Sequence, residues 1–270
     1  MRGRVLIVAG SDSGGGAGIQ ADIKSVTAMG AYAATAITAL TAQNTLGVEA
    51  VFGVPADFIA RQMRVVLDDI GADCIKTGML HTAEVIATVA DTLARHADGV
   101  PLVVDPVMVA KGGASLLDDD AHAALATRLV SRAAIVTPNA PEAAALTGLA
   151  VTDEASQAAA GRALVAMGAA AALVKGGHLD GPQVVDLLVT RGGIVRFADA
   201  RLATRHTHGT GCTLASSIAA GLAQGLAVER AVARARAYVR AAIAGAPGYG
   251  KGHGPLDHAV TVRPFTGEGA

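Results

Sequence analysis

The stretch VLIVAGSDSGGGAGIQAD, residues 5–22, joins a short apolar run to a glycine-rich turn that leads into a helical pattern. The run VLIVA is continuous rather than alternating, which is typical of a strand buried on both faces of a sheet. The same pattern recurs in further runs at residues 34–40, 73–78, 101–107, 133–139 and 171–177. Two last runs, 184–189 and 193–198, are separated by the turn TRGG and predict an antiparallel hairpin.

Helical patterns rich in Ala fill the intervals between these runs. We expect helices over residues 17–29, 56–70, 82–97, 119–131, 140–147, 154–167, 210–225 and 228–244. This alternation predicts an α/β fold, a three-layer α/β/α sandwich with a mostly parallel central sheet of about eight strands. No long linker or repeat interrupts the pattern, so residues 1–270 are predicted to form a single domain. Ligands of such sheets bind beyond the carboxyl ends of the strands.

Composition excludes several classes of function. The formal net charge is -1 and no basic block stands out, which argues against a nucleic-acid partner. No apolar run approaches the roughly 18 residues of a membrane span, and the first apolar run is too short for a signal peptide. The two cysteines, Cys74 and Cys212, cannot form a disulfide framework and fit a reducing compartment. We therefore expect a cytoplasmic protein.

Two glycine motifs resemble nucleotide sites but do not fit their context. Gly16, Gly18 and Ala21 satisfy the dinucleotide pattern G-x-G-x-x-A, but they begin about six residues beyond the strand, too far for that fingerprint. GAPGYGKG, residues 245–252, matches G-x-x-x-x-G-K, but it follows a helical pattern and lacks the Ser or Thr that would hold Mg²⁺. Neither motif predicts nucleotide binding.

A third glycine motif, THGTGC at residues 207–212, opens an Ala-rich helix. Gly209 and Gly211 flank Thr210, so the turn is small and the first backbone N–H groups of the helix are accessible. Unpaired N–H groups and the positive end of the helix dipole make such a turn an anion site. From the glycine spacing alone, an ordinary turn before a small-residue helix remains an equal alternative.

The segment GTGC, preceded by TRHTH, resembles the anion-hole signature of the ribokinase-like kinases, with Cys212 where most of that superfamily has Asp. Together with AGSDSGGGAGIQAD it resembles the hydroxymethylpyrimidine and phosphomethylpyrimidine kinases. Further matches follow in that family's order between residues 7 and 258: TALTAQN, KTGML, DPVMVAKGG, TPNAPEA, ALVKGGH and GKGHGPLDH. The resemblance implies a ribokinase-like fold and a homodimer that uses ATP and Mg²⁺ in thiamine biosynthesis. The substrates it implies are 4-amino-5-hydroxymethyl-2-methylpyrimidine and its monophosphate.

The resemblance also implies roles on the phosphate side of the site. The backbone N–H groups of Gly209, Thr210, Gly211 and Cys212 would face the transferring phosphoryl group. Cys212 would accept the proton of the attacking hydroxyl; a helix N-terminus lowers the pKa of a thiol and a nearby phosphate opposes this, and the sequence does not rank the two effects. Lys175 and Asn139 would bind the ATP phosphates, and Glu142 and Asp105 would bind Mg²⁺.

On the substrate side, the resemblance implies that Asp22 and Gln43 bind the aminopyrimidine ring. It implies that Met79 and Val107 form the apolar walls of the pocket. A carboxylate and an amide can pair with the amino group and the adjacent ring nitrogen. The nearest alternative is a pyridoxal or pyridoxine kinase of the same fold. An NAD(P)-binding oxidoreductase and a pyrimidine-binding protein without turnover are more distant alternatives. His208 is given no role.

Overall fold

The computed structural model describes residues 2–108, 116 and 121–262. Its strands are β1 Arg4–Asp12, β2 Tyr32–Gln43, β3 Val48–Gly53, β4 Cys74–Thr77, β5 Leu102–Val104, β6 Ile135–Val136, β7 Ala171–Val174, β8 Gln183–Thr190 and β9 Gly193–Ala200. Its helices are α1 Gly18–Ala28, α2 Ala56–Asp69, α3 Ala83–His96, α4 Ala121–Arg128, α5 Ala140–Thr147, α6 Glu154–Ala166, α7 Thr210–Ala223 and α8 Val228–Ala244. Residues 109–113 of the motif DPVMVAKGG, and positions 119–120 of an expected helix, lie outside the described residues.

The strands form one sheet in the order β3-β2-β1-β4-β5-β6-β7-β8-β9. Neighbours from β2 to β7 run parallel, whereas β3, β8 and β9 join antiparallel at the two edges. The predicted α/β fold with a mostly parallel sheet is confirmed. The single domain over residues 1–270 stays a prediction.

Strand β3 was not among the predicted strands, so the described sheet has nine strands rather than about eight. It reads VEAVFG, and every residue after Val48 is exposed. An exposed edge strand needs no continuous apolar run, and the apolar pattern therefore does not reveal it. Strand β2 continues to Gln43, beyond the predicted residues 34–40, in order to pair with β3.

The apolar run of β1 separates the two halves of the core. Leu6 and Val8 pack into the cluster formed with α2 and α3, whereas Val5 and Ile7 pack into the cluster formed with α7 and α8. All four side chains are fully buried, and each contributes about 1.5–3 kcal/mol by leaving water. Burial on both faces explains why the run is continuous, and it gives the three layers that the alternation predicts.

The longest described helix, α8, is amphipathic rather than uniformly apolar. It buries small side chains such as Ala231 and Ala235 against α7 and carries five charged residues on its sequence VERAVARARAYVRAAIA. Within the described part of the chain, no helix is both long and apolar enough to cross a membrane. The P-loop-like stretch at 245–252 is a loop after α8. The N–H of Gly252 in this loop donates a hydrogen bond to the hydroxyl of Thr45.

Candidate active site

The carboxyl ends of the parallel strands meet at one edge of the sheet and border a cavity of about 1190 Å³. Every residue that the sequence predicts for the site lines this cavity except one, Asp22. Two segments form much of its lining, one at the end of β1 and one at the start of α7. We call residues 10–18, from the last three residues of β1 to the first residue of α1, the front loop. Residues 207–212, which include the first three residues of α7, are the anion turn.

The anion turn packs directly against the front loop. Gly209 has a φ of 82°, and a Cβ built there would lie 1.8 Å from the carbonyl oxygen of Gly16. Only glycine permits this approach. The first residues of α7, 210–212, line the cavity, so the positive end of the helix dipole faces it. No acidic side chain in this first turn neutralises that end. This geometry favours the anion site, which stays a prediction.

Thr210 is already engaged within the anion turn. Its backbone N–H donates to the carbonyl oxygen of Thr207 at 3.3 Å, and its hydroxyl donates to the same oxygen at 2.8 Å. The expectation that this N–H faces a phosphoryl group is corrected by these contacts. Gly211 lets the anion turn approach Lys175. A Cβ at this position would lie 3.3 Å from Nζ of Lys175, so a residue without a side chain leaves room for the ammonium group.

Lys175 follows β7 and lies between two carboxylates. Its Nζ is 3.3 Å from Oδ1 of Asp105 and 3.7 Å from Oε2 of Glu142. Burial acts to lower the pKa of Lys175, but Asp105 and Glu142 hold it above its ordinary value. A charged ammonium group therefore stands beside the anion turn. The hydroxyl of Thr137 donates to the same oxygen, Oδ1 of Asp105, at 3.2 Å.

Asn139 and Glu142 form a capping box that starts α5. Oδ1 of Asn139 accepts from the N–H of Glu142 at 2.9 Å, and Oε2 of Glu142 accepts from the N–H of Asn139 at 2.7 Å. The N-x-x-E spacing thus has a local reason in helix capping. The side-chain amide nitrogen of Asn139 is the part that can reach a ligand.

The Glu142 carboxyl has an unusual charge state. Burial raises its pKa to about 7, because the attraction of Lys175 does not fully offset it and Asp105 adds repulsion. Two buried carboxylates that share one ammonium group fit an additional cation. Among the described residues no cluster of three or more His, Cys, Asp or Glu side chains could hold a metal alone. One or two carboxylates together with substrate phosphates are the usual set for Mg²⁺, and these residues fit it.

Cys212, in the first turn of α7, is a thiol rather than a thiolate. Burial raises its pKa to about 12; Lys76 acts to lower it, and Asp22 and Asp105 add repulsion. The nearby N–H of Gly18, at the end of the front loop, also acts to lower the pKa of Cys212. Burial, which the sequence does not reveal, is the largest effect on this thiol. The balance between the helix dipole and a nearby phosphate, which the sequence left open, stays open.

Asp22 does not reach the cavity, which corrects its predicted role at the pyrimidine ring. Its side chain is fully buried between α1 and the sheet. The carboxylate accepts from Nζ of Lys76 at 2.9 and 2.8 Å and from the hydroxyl of Ser216 at 2.7 Å. Lys76 lies inside β4 and lines the cavity floor, and the sequence analysis gave it no role. No local pattern signals this pair, because its members come from different elements.

Asp12 is the anchor of the front loop. Its carboxylate accepts from the backbone N–H groups of Gly14 at 2.8 Å, Gly16 at 3.0 Å and Ala17 at 2.8 Å. Oδ2 also lies 2.8 Å from Nε2 of His208. Burial acts to raise the pKa of Asp12, but the His208 hydrogen bond and the loop amides hold it below its ordinary value. The sequence analysis missed Asp12 and left His208 without a role.

Gln43 ends β2 and is held from two sides. Its Oε1 accepts from the hydroxyl of Thr41 at 3.0 Å, and its Nε2 lies 3.4 Å from Nε2 of His208. The apolar wall beside it contains Met79 and Val107, which pack with Ala39 and Leu116. A Cβ on Gly10 would lie 3.0 Å from the Met79 sulfur, so this glycine makes room for the wall. Amide, histidine and apolar wall suit a small polar heterocycle.

The chain matches the sequence model described as phosphomethylpyrimidine kinase over residues 12–257. It belongs to this family. A relative in Geobacter sulfurreducens, the thiamine biosynthesis bifunctional protein ThiED, is 52% identical over 261 residues; the match covers 97% of this chain and 53% of that protein, so the chain spans about half of its length. The hydroxymethylpyrimidine/phosphomethylpyrimidine kinase of Rhizobium meliloti is 50% identical, with 79% of this chain and 80% of that protein covered.

Solved structures agree with the fold. The pyridoxal kinase of Bacillus subtilis, in an ADP complex, superposes with a TM-score of 0.89 at 33% identity and covers 96% of this chain and 98% of its own. Phosphomethylpyrimidine kinase from Clostridium difficile gives 0.78 at 38% identity, with 88% and 97% covered. The resemblance to ribokinase-like kinases is confirmed, and the oxidoreductase alternative is set aside.

Proposed function

We propose that this chain transfers the γ-phosphoryl group of ATP to the hydroxymethyl group of 4-amino-5-hydroxymethyl-2-methylpyrimidine. In a second reaction it phosphorylates the monophosphate to the diphosphate, as thiamine biosynthesis requires. One observation carries the proposal beyond family membership: a single cavity joins the anion turn and Lys175 to the Gln43 and Met79 wall. Phosphoryl transfer depends mainly on positioning and charge neutralisation, and this arrangement supplies both.

On the ATP side, Lys175 neutralises the phosphates, and the amide nitrogen of Asn139 binds one phosphate oxygen. The N–H groups of Gly209, Gly211 and Cys212 cradle the transferring group, where they stabilise the charge that develops. Beyond Lys175 the cavity continues to Leu202, Val239 and Ile243, an apolar surface for the adenine ring.

Glu142 and Asp105 hold Mg²⁺ together with the phosphates. The ion would supply positive charge that neutralises the phosphates. Positive charge beside Glu142 lowers the pKa of its carboxyl, so this residue becomes an ionised ligand at neutral pH. Asp105 keeps Lys175 in position at the same time.

On the substrate side, Gln43 pairs with the ring, while Met79 and Val107 contact its faces. Cys212 lies at the start of α7, where it faces the hydroxymethyl oxygen. In a loose transition state the hydroxyl loses its proton late, so a weak acceptor suffices. Since the resting group is a thiol, Cys212 acts as the acceptor only in the fraction of molecules in which its proton has passed to water, and nearby positive charge increases that fraction.

The deciding experiment measures ADP release with three alcohols side by side: hydroxymethylpyrimidine, its monophosphate and pyridoxal. Turnover of both pyrimidines with a kcat/KM well above that for pyridoxal is the expected result. The second candidate, a pyridoxal kinase, is favoured by the close superposition on solved pyridoxal kinases. Turnover of pyridoxal alone would overturn the pyrimidine assignment and leave the phosphate side intact.

We also propose that the chain forms a homodimer through the edge strand β3 and works in the cytoplasm. Leu40 on β2 lies opposite Phe52 on β3, and their side chains are 46% and 68% exposed. Leu46 in the connecting turn is 66% exposed. Exposed apolar side chains beside an unpaired strand edge favour burial against a second copy. The free thiols of Cys74 and Cys212 are in keeping with a reducing compartment.

A further inference from the structure

Helices α1 and α7 face each other in register beneath the anion turn. Cys212 and Ser216 are four residues apart on α7, so they lie on one face of that helix, one turn apart. Gly18 and Asp22 have the same spacing on α1. The N–H of Gly18 lies near Cys212, and the hydroxyl of Ser216 donates to Asp22 at 2.7 Å. The Asp22 carboxylate therefore lies one helical turn below the Cys212 thiol.

Lys76 completes this arrangement from the sheet. Its Nζ contacts both oxygens of Asp22, and both side chains are fully buried. A Cβ on Gly78 would lie 2.9 Å from the same nitrogen, so this glycine leaves space for the ammonium group. Lys76 also borders the cavity, which Asp22 does not. The ammonium group thus stands between a buried carboxylate and the floor of the site.

Stability alone does not explain such a pair. Taking two charges out of water costs several kcal/mol for each ion, and a well-packed apolar pair of similar size is often as stable. A buried pair that borders a cavity also sets the potential inside that cavity, because charges act strongly where water is excluded. On the cavity side, the charge of Lys76 acts on Cys212, at the start of α7, and on Asp105.

We propose that Lys76 is a positioning residue whose charge, balanced by Asp22, controls how readily Cys212 releases its proton. Four charged groups act on Cys212: Lys76 from β4, Asp22 from α1, Asp105 after β5 and Lys175 after β7. Of these, Lys76 has the strongest effect, and Asp22 opposes it. The role in phosphoryl transfer rests on the proposed function; the control of the thiol does not.

The test measures the rate at which iodoacetamide, an uncharged reagent, alkylates Cys212 between about pH 8 and 9, without ATP or pyrimidine. Lys76→Met is expected to slow alkylation by at least about threefold. A rise of one unit in the pKa of Cys212 lowers the thiolate fraction about tenfold, and the greater nucleophilicity of the more basic thiolate recovers part of the rate. Asp22→Asn is expected to accelerate it by a similar factor. A merely structural role would move both variants in the same direction, and that result, or no change in either, would overturn the proposal.

Each single variant leaves a buried charge alone and could prevent folding. Two milder variants on α7 keep the proposal testable. Ser216→Ala removes a donor from Asp22, strengthens its negative field at Cys212 and should slow alkylation. The matched control is Ser217→Ala, because Ser217 is equally buried and its hydroxyl has no hydrogen-bond partner. Equal rates for these two variants would also overturn the proposal.

The same proteins then enter the ADP-release assay. If alkylation responds as expected but no pyrimidine is phosphorylated, the proposed function fails and the control of Cys212 by Lys76 stands. If the pyrimidine is phosphorylated while alkylation is unaffected, the control by Lys76 fails and the function stands.

Discussion

Gly209 is the residue at which the two glycine segments of the site touch. Its positive φ and the 1.8 Å separation between a hypothetical Cβ and the Gly16 carbonyl oxygen exclude any side chain without movement of the front loop. The position of the anion turn relative to the substrate side therefore depends on the absence of one methyl group.

Gly209→Ala is expected to lower kcat about a hundredfold, the usual effect of displacing an amide that stabilises developing charge. Steady-state ADP release measures this loss. The matched control is Gly225→Ala, which has a φ of 80° and no heavy atom within 4 Å of the added Cβ. It should lower the free energy of unfolding by about 1 kcal/mol and leave kcat unchanged. Equal loss of kcat in both variants would mean that the contact with Gly16 does not matter.

Cys212→Ala is expected to retain pyrimidine binding and to lose most turnover, because it removes the group that faces the attacking hydroxyl. Calorimetric titration measures the first and ADP release the second. Cys74→Ala is the control: its thiol is buried within β4, away from the cavity. That change should cost stability and leave kcat intact. An unchanged kcat in Cys212→Ala would remove this thiol from the mechanism.

At the scale of elements, the front loop behaves as a single unit because one carboxylate gathers it. Asp12 binds three loop amides and the ring of His208, which comes from the other end of the chain. His208 in turn lies against Gln43 at the end of β2. Any loss in this chain of contacts should therefore loosen the ring side and leave the ATP side in place.

His208→Ala tests this coupling. We expect the KM for hydroxymethylpyrimidine to rise about tenfold, which corresponds to one charge-assisted hydrogen bond of about 1.5 kcal/mol. The KM for ATP should stay within twofold, since Lys175 is untouched. His96→Ala serves as a control, because that histidine pairs with Asp68 on the surface away from the cavity. A parallel rise in both KM values would show that the whole site, rather than the ring side, depends on His208.

What the sequence could predict follows from the range of each interaction. The run VLIVA can be predicted as a strand because both of its faces are buried. Asn139 and Glu142 can be predicted as a helix start because a capping box involves only residues close in sequence. Strand β3 was missed because its residues are exposed. The family resemblance gave Asp22 to the ring, and nothing in a linear pattern shows that Asp22 instead meets Lys76. Long-range pairing of charges is a property of the folded chain.

For the molecule as a whole, acid should loosen the contact between the C-terminal segment and α7. His258 lies 2.9 Å from the hydroxyl of Thr213, and its carbonyl oxygen accepts from Tyr238. Burial, with a contribution from Lys24, lowers the pKa of His258 to about 4. Since the unfolded chain binds this proton near pH 6.5 and the folded chain does not, stability is present above that pH and is lost as the pH falls towards 4.

The free energy of unfolding from urea titrations should therefore fall between about pH 6.5 and 4, with about 3 kcal/mol of the loss due to His258. In His258→Gln this part of the slope should disappear, while the contribution of the carboxylates stays the same. The difference between the two proteins isolates the histidine. Identical slopes would mean that His258 is protonated in the folded state without cost.

The proposed self-association depends on the exposed surface around the edge strand β3. Phe52 projects from the edge strand β3, and a glutamate there would place charge in any interface that buries this edge. Phe52→Glu is thus expected to shift the sedimentation coefficient from that of a dimer to that of a monomer. Leu149→Glu, a change of an exposed apolar residue after α5, should leave it unchanged. Because the cavity lies at the carboxyl ends of the strands and Phe52 does not line it, kcat should survive in the monomer. A dimer that persists in Phe52→Glu would place the interface elsewhere on the protein.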